Sequence, residues 1–298
     1  MILQPGDKVA IIAPAGQLPE ADGRLMEMAA RVLEEWGLDV TIRAECVHHL
    51  YLAGTDCARA AHLHGALADP ATRAIFAARG GYGVMRLFRY LDSSLAPAQK
   101  ILVGYSDITA LHLAVRKLWP RVESIHGPNI ASLEFLGSEP AVEANRRSLH
   151  RALFESAYEV DAPVEFLRPG TASGPLCGGC LSLFAGALGS RFAPETEGSI
   201  LFLEDVGEAP YRIDRLLVQL RNAGLFTNVA GVVFGAMHKC FDGINDLRDI
   251  IRDVLADYAF PIAFGLAAGH GETNTALLLE AAATLDGASG RFRQRRAR

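Results

Sequence analysis

The segment from Lys100 to Trp119 constrains the fold more than any other part of this 298-residue chain. It has the pattern of an apolar strand that ends at Gly104-Tyr105-Ser106-Asp107 and continues directly into an amphipathic helix. A sharp strand-to-helix turn presents a serine hydroxyl above the sheet edge, and the first helical amides point toward an oxyanion formed there. Ser106 is therefore a candidate nucleophile. The alternative is an ordinary helix N-cap, since Ile108 replaces the second glycine of the Gly-x-Ser-x-Gly turn.

Strand and helix patterns alternate along the chain in the order that builds a mostly parallel α/β sheet. Residues 156–172 lack a clear period and contain two prolines, so we place a linker there, between domains at 1–155 and 173–298. The predicted strands are Lys8–Ala13, Leu38–Ala44, Thr72–Ala77, the run from Lys100 to the serine turn, Ser124–His126, Ile200–Glu204, Val229–Phe234, Pro261–Leu266 and Ala276–Leu285, with a weaker strand after Asp286-Gly287. The predicted helices are Glu20–Trp36, Ala58–Ala68, a short one ending at Tyr90, the helix after Ser106, Glu139–Phe154, Leu181–Leu188, Tyr211–Ala223 and Asp246–Tyr258.

Composition and charge exclude several classes of protein. Half of the residues are hydrophobic, which allows a sizeable core and favours an enzyme over a small binding module. The net charge of -5 and the pI near 6.0 give no reason to expect nucleic acid or an anionic membrane as a partner. Only Arg291–Arg298 is strongly basic, a pattern typical of a solvated tail.

The sequence also predicts where the protein resides. No apolar run reaches the roughly 18 residues of a membrane-spanning helix. Residues Met1–Asp7 lack the basic start and apolar core of a signal peptide, so we expect a cytoplasmic location. The five cysteines are odd in number and scattered through core-like segments, which suits reduced thiols.

A serine nucleophile needs a base, usually histidine, that is itself oriented by a carboxylate. His270 stands between two glycines just after an apolar strand, where the backbone can turn sharply and present the imidazole on a loop. His126, also beside a glycine after a short strand, is the rival candidate. A histidine that only makes local hydrogen bonds is the structural alternative for His270.

Glu204 is the candidate carboxylate because it ends an apolar strand, where open α/β sheets place their sites. Asp205 and Glu208 are the alternatives. Neighbouring residues of a strand face opposite ways, so only one of Glu204 and Asp205 is expected to face His270. The competing role for these acids is capping of the helix that starts near Pro210.

Two further motifs carry weaker signals. The loop Arg79-Gly80-Gly81-Tyr82-Gly83 lacks the lysine of a P-loop and the spacing of a dinucleotide fingerprint, so no bound nucleotide is expected. Such a loop offers an unhindered backbone N–H to an oxyanion. The pair Cys177 and Cys180 has metal-knuckle spacing but no second pair, so we expect no metal and interpret it as two small apolar residues at a tight turn.

Across nearly its whole length the chain resembles the LD-carboxypeptidases, a serine peptidase family that also contains the microcin C self-immunity hydrolases. The matching motifs occur in the same order along the chain. They are Gly6-Asp7-Lys8-Val9 with Ala13-Pro14-Ala15, Ala78–Gly83, Gly104–Thr109, His126-Gly127-Pro128, Leu203–Arg215, and Gly269-His270-Gly271 followed by Asn274.

The resemblance implies a doubly wound, mostly parallel N-terminal α/β domain, a smaller C-terminal α/β domain, and an active site in the groove between them. It also implies a catalytic triad of Ser106, Glu204 and His270. The implied chemistry is acyl transfer through a covalent intermediate, with the backbone N–H groups of Gly81 and Asp107 binding the oxyanion.

The implied substrate is the tetrapeptide stem of recycled muropeptides, from which terminal D-alanine is released. Arg79 and Tyr82 are the candidate substrate-binding residues. No cofactor is implied, and family proteins are often homodimers. Two alternatives stay open: a microcin-immunity-type hydrolase of peptidyl or aminoacyl nucleotides, and a catalytically silent muropeptide-binding protein.

Two positions depart from the family pattern. Cys180 stands where family members usually have asparagine, and Glu280 stands where they usually have glycine. Neither change touches the implied triad, so we expect them to affect the groove wall or the dimer surface.

Overall fold

The computed structural model describes residues 1–18, 23–44 and 48–296, and the chain divides into two units, Met1–Ser156 and Ala157–Arg298. Within the described ranges, no helix has both the length and the apolar character needed to cross a membrane.

The first unit contributes a run of parallel strands to its sheet. These strands are β1 (Lys8–Ile12), β2 (Asp39–Arg43), β3 (Thr72–Ala77), β4 (Lys100–Gly104) and β5 (Val122–His126). They lie in the order β5-β4-β3-β1-β2, and every pairing among them is parallel. The order changes direction between β1 and β3, as in doubly wound folds, so the loops after these two strands open a crevice at the carboxyl edge.

Helices of the first unit connect these parallel strands or follow the last of them. They are α1 (Arg24–Glu35), α2 (Asp56–Ala68), α3 (Thr109–Leu118), α4 (Leu133–Leu136) and α5 (Pro140–Phe154), with short 3₁₀ helices at Val84–Arg89 and Ser106–Ile108. Local chemistry sets their starts: Thr55 accepts the Ala58 N–H at 3.2 Å to cap α2, and Pro140 begins α5, where its missing N–H costs nothing.

The second unit is a mixed sheet with three helices among its described residues. The strands of this sheet are β6 (Glu159–Pro163), β7 (Glu165–Arg168), β8 (Thr171–Cys180), β9 (Ile200–Val206), β10 (Gly231–His238), β11 (Ile262–Gly269), β13 (Ala282–Asp286) and β14 (Arg291–Arg295). The two-residue strand β12 (Leu277–Leu278) precedes β13 in the chain and is not part of this sheet. The helices are α6 (Leu181–Gly186), α7 (Pro210–Asn222) and α8 (Leu247–Val254). Strands β8, β9, β10 and β11 are neighbours and parallel, so their carboxyl ends meet at one edge.

The predicted fold class, a doubly wound N-terminal α/β domain followed by a second α/β domain, is confirmed. Several predicted elements have the observed bounds or nearly so, and Thr72–Ala77 agrees at both ends. The predicted start of the first helix at Glu20 lies outside the described residues, and the described helix begins at Arg24.

The segment predicted as a linker, 156–172, instead contains two strands of the second unit. Strand β6 pairs antiparallel with β14, and β7 pairs antiparallel with β11. Both strands lie at edges of the eight-stranded sheet, where one side of the strand is free of a ladder and proline is tolerated. This edge position explains the weak sequence period and the proline that ends β6.

The weaker strand predicted after Asp286-Gly287 is confirmed as β14, which lies between β13 and β6. The expectation of a solvated basic tail is therefore wrong for Arg291–Arg295. Phe292 is fully buried, and Gln294 is buried with it. The alternating arginines face acidic partners: Arg291 lies 2.6 Å from Asp161, and Arg293 lies 2.9 Å from Asp286. Alternation of core and charged side chains therefore gives a strand, while the last two residues lie outside the described part of the chain.

Candidate active site

Ser106 sits at a strained turn between β4 and α3. Its φ of 65° places a non-glycine residue in the left-handed region, a conformation that costs about 1–2 kcal/mol and clusters at functional sites. Gly104 makes the tight join possible, because a Cβ there would lie 2.9 Å from the Ile108 side chain. The strand and helix patterns around Ser106 therefore fold as the sequence predicted, into a turn that sets the serine apart from the regular backbone.

The glycine loop after β3 lies directly against this serine. A Cβ on Gly80 would be 2.9 Å from the Ser106 Cβ and 3.1 Å from its Oγ, so only glycine fits there. The N–H of Gly16 donates to the Gly80 carbonyl at 3.1 Å and ties the loop after β1 to the loop after β3. The Gly80–Gly83 loop and Ser106 thus share one end of the first sheet.

Asn129 is a buried contributor that the sequence patterns did not single out. Its side-chain oxygen accepts the Tyr105 N–H at 3.3 Å, and its side-chain nitrogen donates to the Tyr105 carbonyl at 3.4 Å. Both bonds hold the residue just before the serine. The only sequence signal was its place in the stretch after β5, next to the His126-Gly127-Pro128 motif.

The carboxylate of Asp107, next to the serine, points into the first unit. It is 1% exposed, and its Oδ2 accepts the Val84 N–H at 2.8 Å. Burial raises the pKa of Asp107 to about 6, while the Val84 bond and the nearby Arg59 act in the opposite direction. The backbone N–H of Asp107 belongs to the first turn after Ser106, where helical amides have no partner within the helix.

A cavity of about 530 Å³ opens beside the glycine loop, at the crevice between β1 and β3. Its lining includes Arg79 and Tyr82, the residues predicted to bind substrate, together with Gly81. Tyr51 and Tyr82 form one wall, with ring centroids 5.5 Å apart in an edge-to-face arrangement. Arg79 donates to the Gln17 carbonyl, which fixes the guanidinium beside the cavity.

His126, the rival base, lies in the core of the first unit. It is fully buried, and its ring lies 5.8 Å from that of Tyr105. His112, a second buried histidine, has its Nε2 2.9 Å from the Gly104 carbonyl. Burial lowers the pKa of His112 to about 4. Both histidines are therefore placed as core side chains of the first unit.

In the second unit, Glu204 and His270 form a tight pair. The His270 Nδ1 lies 2.6 Å from the Glu204 Oε2, and the same oxygen accepts the His270 backbone N–H at 3.0 Å. Glu204 is fully buried two residues before the end of β9, and the His270 side chain is 13% exposed just after β11. Two bonds from one carboxylate orient the imidazole, as a catalytic base requires.

Glycines allow this close approach. Gly269 has φ 101°, and a Cβ there would lie 2.7 Å from the Glu204 Cγ, so a side chain would displace the carboxylate. Gly235, in the strand between, would bring a Cβ to 2.6 Å from the Ala268 carbonyl. The Gly269 N–H donates to the buried Asn274 at 2.9 Å, which fixes the turn that carries His270.

The alternative carboxylates have other partners. Asp205 accepts the Ser182 N–H at the start of α6 and the Val206 N–H, both at 2.8 Å. Burial raises its pKa, and the charge of Glu204 adds to the effect. Glu208 lies 3.5 Å from Arg212 in an ion pair. Of the three acids, Glu204 is thus the one bonded to His270.

Comparison with known proteins identifies the family. A family model described as the LD-carboxypeptidase N-terminal domain matches residues 9–127, and one described as the LD-carboxypeptidase C-terminal domain matches residues 173–285. The chain belongs to the LD-carboxypeptidase family. It is therefore a serine peptidase.

Individual LD-carboxypeptidases and related structures agree with this assignment. A probable murein peptide carboxypeptidase of Bacillus subtilis is 36% identical, with 95% of this chain and 90% of the relative covered. The crystal structure of muramoyltetrapeptide carboxypeptidase from Oxalobacter formigenes has a TM-score of 0.85 at 27% identity, covering 97% of this chain and 98% of that one. MccF in complex with glutamyl sulfamoyl guanosine has a TM-score of 0.88 at 22% identity over 99% and 97% of the two chains, a likeness of fold.

Cys180, one of the two positions of this LD-carboxypeptidase singled out in the sequence, lies beside Glu204. Cys180 pairs with Glu204 across β8 and β9, and its Sγ lies 3.7 Å from the Asp205 Oδ1. Burial raises the pKa of this thiol well above its ordinary value, and the two carboxylates add to the shift. Cys177 and Cys180 belong to a strand, so the predicted tight turn is wrong, although both are buried. Gly178 brings β8 against β9, since a Cβ there would lie 2.7 Å from the Phe202 carbonyl carbon.

Glu280, the second position singled out in the sequence, has a backbone conformation that glycine adopts more readily than other residues. Its φ is 66°, and its N–H donates to the Leu176 carbonyl at 2.7 Å. This backbone hydrogen bond thus stabilises the left-handed conformation, which is unfavourable for a residue with a side chain.

Proposed function

We propose that this enzyme releases terminal D-alanine from muropeptide tetrapeptides during cell-wall recycling, by hydrolysing an L-to-D peptide bond. The names of the Bacillus subtilis and Oxalobacter formigenes relatives support this substrate class. The observation that carries the chemistry is the 2.6 Å contact between Glu204 and the His270 ring, because an oriented imidazole is the part of a serine peptidase hardest to obtain by chance.

In the proposed mechanism, Ser106, His270 and Glu204 act as a triad. A proton on His270 Nδ1, directed at Glu204, leaves the lone pair on Nε2 to accept the Ser106 proton as Oγ attacks the scissile carbonyl. The imidazolium then gives that proton to the departing amine of D-alanine. Water, deprotonated by the same histidine, releases the acyl group from Ser106.

The oxyanion of the tetrahedral intermediate would accept the backbone N–H groups of Gly81 and Asp107. The contact between Gly80 and Ser106 supports this role, because the loop amide follows directly. Removing one such preorganised donor from another serine peptidase costs about 2.7–4 kcal/mol.

The terminal carboxylate of the substrate would bind beside Arg79, with Tyr82 against the leaving residue. The cavity that these residues line supports the assignment, since it adjoins Gly81. Guanidinium groups favour carboxylates because they offer paired donors in one plane.

The experiment is a release assay with a muramyl tetrapeptide that ends in an L-to-D bond, an all-L control peptide and a peptidyl adenylate. We expect D-alanine from the first substrate alone. Unchanged release by Ser106→Ala would disprove the nucleophile assignment. Cleavage of only the adenylate would favour a microcin-immunity-type hydrolase, and no turnover at all would favour a silent binding protein.

The same assay tests the base. We expect His270→Ala to lower kcat by about three or more powers of ten with the fold retained. A mild effect at His270 together with a severe loss in folded His126→Gln would overturn the choice.

Fractionation and sedimentation of the native enzyme would test the cytoplasmic location and the homodimer that we propose with it.

A further inference from the structure

A single peptide group in the first unit is held from both ends by buried charged side chains. The Val84 N–H donates to the Asp107 carboxylate at 2.8 Å, and the Gly83 carbonyl accepts from the Arg59 Nη1 at 3.0 Å. These two backbone atoms belong to the same peptide bond. Arg59 and Asp107 are each 1% exposed, so both bonds are shielded from water and cannot be replaced by it without cost.

Arg59 is itself held in place. It donates to the Pro14 carbonyl and to Asp56 Oδ1, the latter at 2.6 Å. Asp56 in turn accepts from Arg86, with bonds of 2.9 Å to each of its carboxylate oxygens. The guanidinium therefore occupies a defined position between the end of β1 and the glycine loop.

The loop needs such external support. Three glycines between Arg79 and Val84 have no side chains with which to pack, and glycine has the widest backbone freedom of any residue. One end of the loop is anchored where Gly80 accepts the Gly16 N–H at 3.1 Å. The other end is anchored at the Gly83–Val84 peptide. The N–H of Gly81 belongs to the first anchored peptide, and the second anchor restricts the glycine-rich backbone that follows it.

We propose that Asp107 and Arg59 are positioning residues that clamp the Gly83–Val84 peptide and so hold the Gly81 N–H ready for the oxyanion. The inference rests on the proposed function, because it assumes that Ser106 attacks an acyl carbon. It gives the residue after the nucleophile two roles: its backbone N–H faces the oxyanion, and its carboxylate fixes the second donor. The competing explanation is that Asp107 only caps the 3₁₀ helix that starts at Val84.

The test compares Asp107→Ala with Asp107→Asn in the full-length enzyme. Alanine leaves the Val84 N–H without its partner, whereas asparagine keeps an oxygen that can accept it. We expect Asp107→Ala to lower kcat by about 10- to 100-fold with KM changed less than about threefold, and Asp107→Asn to recover most of the loss.

A second readout is the rate at which a fluorophosphonate labels Ser106, because that reaction forms a charged oxygen at phosphorus and uses the same donors. We expect it to fall in parallel with kcat in Asp107→Ala. The matched control is Asp246→Ala, which removes an aspartate that accepts the Arg248 N–H at 2.9 Å to cap α8. It should lower stability and leave labelling unchanged.

The experiment distinguishes an error in the proposed clamp from an error in the proposed substrate. If wild type labels at Ser106 but releases no D-alanine, the substrate is wrong and the labelling ratio still tests the clamp. Equal labelling by wild type and folded Asp107→Ala, with only thermal stability reduced, would overturn the clamp and leave a simple cap.

Discussion

The serine turn and the Glu204–His270 pair are built by different physical means. Ser106 is placed by backbone conformation, with φ 65° and a neighbouring Gly80 that leaves no room for a Cβ. His270 is placed by a charged acceptor that contacts both its ring and its backbone N–H. From this contrast we expect mutations near the serine to act mainly through steric displacement. We expect mutations near the histidine to act mainly through loss of charge.

The largest effect should come from removing that charge. We expect Glu204→Gln to lower kcat by about three to four powers of ten, because a neutral amide neither selects the Nδ1–H tautomer nor stabilises the imidazolium. Steady-state kinetics on D-alanine release would measure it, with circular dichroism to confirm the fold.

Asp205→Asn is the matched control for this prediction. It neutralises the adjacent buried carboxylate, whose bonds go to Ser182 and Val206 rather than to His270. Its kcat should stay within a few-fold of wild type. Comparable losses in the two variants would mean that general burial of charge, and not the contact with His270, governs activity.

Shape is tested by Gly80→Ala. The added methyl would lie 2.9 Å from the Ser106 Cβ, and Gly80 has no left-handed φ, so steric displacement of the serine is the main consequence. Displacements of about 1 Å cost on the order of 100-fold in rate, and we expect kcat to fall by that factor.

Gly65→Ala adds the same methyl elsewhere in the first unit. Its position in α2 faces only the Arg43 guanidinium, 3.3 Å away at the end of a flexible side chain. Kinetics should be unchanged in this variant. An active Gly80→Ala enzyme would show that the serine turn tolerates movement, and that the comparison drawn above is wrong.

Sequence patterns pointed to the candidate residues that are encoded locally. A strand ending in Gly-Tyr-Ser-Asp, a histidine between glycines and a glutamate at a strand end each leave a mark within a few residues. Other contacts leave no local sequence pattern, because the bonded residues lie more than 20 positions apart in the chain. Examples are the bond from Val84 to Asp107 and the bond from Tyr105 to Asn129. The pattern predicted a strand after Asp286-Gly287, but the basic run was also interpreted as a solvated tail, because its acidic partner Asp161 lies 130 residues away in the chain.

The pH dependence of stability should expose the burial of Asp107. Burial raises its pKa from 3.8 to about 6, so the folded state binds this proton more tightly than the unfolded state. Stability from this group is full below about pH 4 and is lost as pH rises through 6. At about 1.4 kcal/mol per pKa unit, the loss is roughly 2–3 kcal/mol by pH 7.

Asp107→Asn cannot titrate, so its free energy of unfolding relative to wild type should rise by roughly 2–3 kcal/mol between pH 4 and pH 7. Fluorescence reports the first unit alone, because both tryptophans, Trp36 and Trp119, belong to it. A difference that stays constant over this range would exclude titration of Asp107. If the free energy of unfolding of Asp107→Asn rises in this way and its kcat also falls partially, the wild-type enzyme keeps Asp107 for activity although this residue lowers its stability at pH 7.

The smallest effect tests strain in the second unit. Glu280 has φ 66°, almost the value of Ser106, but Glu280 is not a member of the Glu204–His270 pair. Glycine removes a left-handed cost of about 1–2 kcal/mol and adds about 0.5–1 kcal/mol of unfolded-state entropy, so Glu280→Gly should stabilise by about 0.5 kcal/mol. Glu280→Ala keeps the strained backbone and removes only the side-chain contacts, so it should not stabilise. Chemical denaturation followed by circular dichroism would measure both, and kcat should not change. If Glu280→Gly lowered kcat, strain in the second unit would serve catalysis as we propose for Ser106, and the division between shape and charge would not hold.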